Sequence, residues 1–116
     1  MFNHIPYNRM KLKKIDVFGS EFNIKYVDRI TSNKEDASDD SFWCGLTDPV
    51  ERTILVATKS NGGRLFSEYE IEDTLFHEII HAVLTEGGYL RENGDEPLVE
   101  WLAKCLRSLK KQGLFK

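Results

Sequence analysis

The chain has 116 residues, 41% of them hydrophobic and 30% charged, with a formal net charge of -3 and a pI near 5.6. That length fits a single domain over residues 1–116, and the composition is too apolar for a disordered chain and too poor in cysteine for a disulfide-stapled one. The basic runs at 9–14 and 107–111 are balanced by acid elsewhere, which argues against nucleic acid as a partner, and no apolar run approaches the ~18 residues that would suggest a membrane span.

The opening "MFNHIPYNRMKLKK" lacks the uninterrupted apolar centre of a signal peptide, so a cytoplasmic protein is expected. From residue 12 the apolar positions alternate. Leu12, Ile15 and Val17, then Gly19-Ser20, then Phe22, Ile24 and Tyr26 predict two strands joined by a tight turn. The polar segment "TSNKEDASDDS" at 31–41 predicts a solvated loop, and it lacks the D-x-D-x-D-G spacing of a calcium site. "FWCGL" and "TILVAT" flank a turn at Asp48-Pro49 and predict a third and a fourth strand, the latter over 53–58. Cys44 and Cys105 have no C-x-x-C partner and read as two small buried hydrophobes.

After "NGGR" the period changes. Ser67 and Glu70 form an S-x-x-E capping signature and Gly87-Gly88 a stop, which together predict a helix from Glu68 to Glu86. A second helix is expected to start near Pro97 and run through "LVEWLAKCLRSLKK". These elements make an α+β fold: a small, mainly antiparallel sheet of about four strands packed on two helices.

The first helix is apolar nearly all round, yet Thr74, His77, Glu78, His81 and Thr85 fall within one arc of about 100°. Burying two imidazoles and a carboxylate is costly unless each finds a partner. Histidines at i and i+4 project from one side, close enough for both to reach a single zinc ion. The intervening Glu78 is then placed to take a proton from a metal-activated water. His77-Glu78-Ile79-Ile80-His81 is the H-E-x-x-H pattern of zinc peptidases.

A catalytic zinc takes a third protein ligand. His4 is the one other histidine, and the longer H-E-x-x-H-x-x-G-x-x-H pattern fails at Leu84 and Gly87, which leaves a carboxylate among Glu86, Glu92, Asp95, Glu96 and Glu100. Glu96 sits at the edge of the second helix's apolar arc, beside Val99 and Ala103, and is preferred. Glu100 shares a charged face with Lys104 and Arg107, where a surface ion pair accounts for it, and Asp95 is placed to cap the helix.

"TLFHEIIHAVL", together with Glu96-Pro97-Leu98-Val99-Glu100-Trp101-Leu102-Ala103, resembles the small zincin-like metallopeptidases of phages and prophages, and more distantly the ImmA/IrrE-type regulatory peptidases. The resemblance implies a minimal zincin fold, Zn2+ as cofactor, His77, His81 and Glu96 as ligands and Glu78 as base. It also implies a peptide or protein substrate, met in the host cytoplasm if the chain is phage-encoded. An extended substrate is expected to add to a sheet edge along 53–58, and Tyr69, Tyr89 and Arg91 are candidates to steady an oxyanion, although packing or solvation explains each of them more simply. The other function class compatible with these residues is a non-catalytic, zinc-stabilised interaction module, against which the buried Glu78 argues, since a structural site needs a fourth ligand and no base.

Overall fold

Ile15 and Val17, then Phe22, Ile24 and Tyr26, alternate with polar neighbours, and this pattern folds as a hairpin. In the computed structural model, which describes residues 12–31, 42–60 and 62–113, strand β1 (Lys14–Val17) pairs antiparallel with β2 (Ser20–Val27), Val17 opposite Ser20. The turn is Phe18-Gly19, one residue earlier than expected. Both residues have positive φ, 52° and 89°, which matches the twist of a two-residue hairpin, and the Gly19 N–H donates to Asp16 Oδ1 at 2.7 Å.

"FWCGL" is not one strand. Its first two residues form β4 (Phe42–Trp43), paired with β3 (Ile30–Thr31) in a separate two-stranded ribbon, whereas β5 (Gly45–Asp48) joins the main sheet. The break falls at Cys44, which is exposed rather than buried as expected; Cys105 is half-buried, and both thiols are free. Apart from Thr31, which belongs to β3, the segment expected to form a solvated loop lies outside the described residues, and so does His4.

Strand β6 (Thr53–Ala57) runs parallel to β2 and antiparallel to β5, so the main sheet has the order β1-β2-β6-β5 and is antiparallel in two of its three pairs. The segment expected to offer a free edge is therefore interior. Its composition explains why: Ile54 and Val56 are fully buried and Leu55 is half-buried on the other face, the near-continuous apolar run of an inner strand. Among the described strands the outer one beside the helices is β5. Asp48 turns the chain between β5 and β6, its Oδ1 accepting the N–H groups of Val50 and Glu51 at 3.0 and 3.1 Å.

Helix α1 (Glu68–Glu86) has both of its expected ends. Ser67 Oγ accepts from the Glu70 N–H at 3.1 Å while Glu70 Oε1 accepts from the Ser67 N–H at 2.8 Å, a reciprocal cap. At the other end Gly88, at φ 85°, donates to Thr85 O, and Tyr89 N–H reaches back to Leu84 O at 2.8 Å; the left-handed turn this requires is one that glycine adopts without strain. A short helix α2 (Leu90–Asn93), not anticipated from the sequence, leads into α3 (Glu96–Lys111). Asp95 caps α3, accepting the Leu98 N–H at 3.2 Å, and Pro97 lies in the first turn, where its missing N–H costs nothing.

The core explains why α1 is apolar on so many sides. Ile71, Leu75, Ile79 and Ala82 pack with Phe22, Ile24, Ile54 and Val56 of the sheet, and Ala103 of α3 joins the same cluster. Each fully buried Ile or Leu contributes roughly 1.5–3 kcal/mol, so α1 is held mainly by this double burial rather than by its own propensity. Glu72 ties α1 to α3 through Arg107, at 3.4 Å, and Lys110, and the Arg107 guanidinium stacks 3.8 Å from the Tyr69 ring centre. Among the described residues no helix is long and apolar enough to cross a membrane.

Candidate metal centre

One stripe of α1 faces the space between β5 and α3. Thr74, His77, Glu78, His81 and Thr85, the five residues of the polar arc, line an open groove of about 580 Å³ bounded by β5 on one side and by Asn93, Glu96 and Glu100 on the other. The 3.6-residue period stacks the two histidines one turn apart, with ring centres at 5.0 Å.

Each imidazole is oriented from behind. His77 Nδ1 lies 2.9 Å from Glu100 Oε1, and His81 Nδ1 lies 2.8 Å from Asn93 Oδ1. A carboxylate and an amide oxygen only accept, so each neutral ring carries its proton on Nδ1 and presents an Nε2 lone pair to the groove. Both lone pairs meet the same carboxylate: Glu96 Oε1 is 3.0 Å from His77 Nε2, and Glu96 Oε2 is 3.4 Å from His81 Nε2.

Three sets of lone pairs thus converge, their atoms all within 4.8 Å of one another. Acceptors facing acceptors repel unless protons or a cation lie between them, and one divalent cation satisfies all three donors at once. Donors placed tetrahedrally at about 2.0–2.1 Å from a zinc ion stand about 3.3 Å apart, and the two contacts of Glu96 with the imidazoles, at 3.0 and 3.4 Å, are of that length. Two imidazoles and a carboxylate, each imidazole backed by an acceptor, are a donor set that zinc favours. The two histidine side chains are 21% and 15% exposed and that of Glu96 is 63% exposed, so the cluster opens to solvent on the Glu96 side.

Glu78 is the buried member, 7% exposed. Thr47 Oγ1, on β5, lies 2.6 Å from Glu78 Oε1 and 3.0 Å from the Glu78 carbonyl oxygen, so this side chain is held from the strand side. Burial pushes the Glu78 carboxyl above its ordinary range; the Thr47 bond and the two imidazoles pull it back, and the Glu96 charge adds to the rise. Gly45 makes this approach possible. A Cβ there would stand 2.7 Å from Glu78 Cγ, 2.8 Å from its Oε2 and 2.8 Å from Thr74 Cγ2, so any side chain at position 45 would displace the Glu78 carboxylate.

The sequence expectations divide accordingly. His77, His81 and Glu96 come together, with Glu78 beside them. Glu100 forms the i,i+4 surface pair expected of it, with Lys104 at 3.4 Å, but its other oxygen orients His77. Asp95 is the helix cap, and Glu86 accepts from Ser20 Oγ at 2.9 Å. Neither these two nor Glu92, Tyr69, Tyr89 and Arg91 line the groove. Asn93, Thr47 and Gly45 were not anticipated. Of these, Gly45 alone carries a local signal, a glycine interrupting a strand pattern, which marks close backbone approach. Comparison of the chain with protein-family models, with curated proteins and with solved structures finds no match.

Proposed function

We propose that this chain is a metal-dependent peptidase that holds a zinc ion between His77, His81 and Glu96 and uses Glu78 as its general base. The observation that carries the reading is the pairing of two features in one groove: three convergent lone-pair donors, and next to them a buried carboxylate braced by Thr47. A purely structural centre needs the first feature and has no use for the second. When bound, the cation supplies Lewis acidity, polarising a carbonyl oxygen and lowering the pKa of a coordinated water.

The chain's own residues do the rest. Glu100 and Asn93 keep both imidazoles in the ligating tautomer. Glu78 accepts the proton of the attacking water and returns it to the leaving amine, while Thr47 holds one of its carboxylate oxygens, Oε1, in place from the strand. Among the described strands β5 is the sheet edge flanking the groove, and an extended peptide adds to such an edge through main-chain hydrogen bonds.

The test is cleavage of an unfolded protein by the purified chain. Fragments are expected with zinc, none after chelation, and full recovery when zinc is restored. A zinc-loaded, folded chain that cuts no unfolded protein would contradict the reading.

A further inference from the structure

Charge is distributed unevenly along the groove. Asp73 precedes His77 by four residues, so it lies about one helical turn, about 6 Å along the axis, before the first histidine on the same face of α1. It is half-buried and lines the groove, and among the described residues it has no hydrogen-bond or ion-pair partner. The other carboxylates there are engaged: Glu78 with Thr47, Glu96 with the imidazoles, Glu100 with His77 and Lys104. Among the described residues no lysine or arginine lines the groove, and towards His81 it is lined by the uncharged Thr85 and Asn93.

The strand sets a direction. Gly45 approaches Thr74 and Glu78, and Thr47 bonds Glu78, so β5 runs in the same sense as α1, from the Asp73 end towards the Thr85 end. A peptide added antiparallel to β5, the slightly stronger pairing, therefore runs the other way and carries its C-terminal half over Asp73.

We propose that Asp73 selects a basic side chain, lysine or arginine, on the residue that follows the scissile bond. The inference rests on the peptidase reading and adds the substrate class to it. A carboxylate without a partner gains most from an opposite charge when a bound peptide excludes water from around it, and it penalises an acidic side chain by like-charge repulsion.

Succinyl hydroxamates bearing a lysine-like, leucine-like or glutamate-like side chain next to the metal-binding group fix the register and bind without turnover. Calorimetric titration of the zinc-loaded chain is expected to rank them lysine-like, leucine-like, glutamate-like, with steps of about tenfold in Kd. Asp73→Asn, nearly isosteric, should level the series, and Asp73→Lys should invert it. Equal affinities in the unaltered chain, or a preference that survives Asp73→Asn, would overturn the inference while leaving the peptidase reading intact. Acetohydroxamate, which has no side chain, separates the two ideas: if it fails to bind the zinc-loaded chain, the metal centre itself falls and the inference goes with it.

Discussion

Replacing Glu78 with glutamine is expected to lower the rate of peptide cleavage by about 10²–10⁴-fold, the usual contribution of a positioned base, with zinc content unchanged. Glutamine keeps the size of the side chain and can still accept the Thr47 hydroxyl, which now lies 2.6 Å from Glu78 Oε1. What it loses is the capacity to take a proton. It also removes a carboxylate whose ionisation burial opposes, so thermal stability should hold or rise. Cleavage rate, bound zinc and Tm measured on the same preparation distinguish this from misfolding: a variant that keeps its zinc and its rate would remove Glu78 from the mechanism.

The second large effect concerns the ligands and the groups behind them. Glu96→Ala deletes one of three donors and leaves two imidazole lone pairs with no carboxylate between them, so zinc affinity should fall by well over 100-fold. Glu100→Ala and Asn93→Ala leave every donor in place and remove the acceptors that set the ring tautomers, which corresponds to a loss of about 10–100-fold. Competition with a chelator of known affinity measures all three. Should Glu100→Ala prove the most damaging and Glu96→Ala the mildest, the two carboxylates would have to exchange roles.

Those two carboxylates also mark where sequence reasoning stops. Helix α1 is readable to its ends because its signals are local: the Ser67–Glu70 cap, the Gly88 turn and a sustained 3.6-residue period. His77, Glu78 and His81 follow from the same period, and Glu96 from its phase on α3. Glu100 is one turn further along α3, on a face that reads as solvated beside Lys104; that the face also borders His77 depends on how α3 crosses α1, which no spacing within α3 encodes. Asn93 is harder still. It belongs to a four-residue helix between two glycine-containing turns and reaches His81 through the tertiary path of the chain.

The sheet teaches the same lesson from the other side. The positions of β1, β2 and β6 were legible from β-branched and alternating runs, but β3, the division of "FWCGL" between β4 and β5, and the strand order were not, and the edge was expected at β6 instead of β5. The near-continuous apolar character of Thr53–Ala57 was the clue to an interior strand, whereas Gly45–Asp48, with a glycine, a threonine and an aspartate, has the composition of an edge. Gly45 and Thr47 acquire meaning only once β5 is laid against α1, because what they act on is a side chain more than 30 residues away.

All of this depends on whether the converging lone pairs of His77, His81 and Glu96 enclose a cation. Elemental analysis of the purified chain, paired with that of a His77→Ala, His81→Ala double variant, asks this most directly. Close to one zinc per chain is expected in the first and none in the second, with both folded. A chain that takes up no divalent metal when supplied with it, or a double variant that retains its metal, would contradict this.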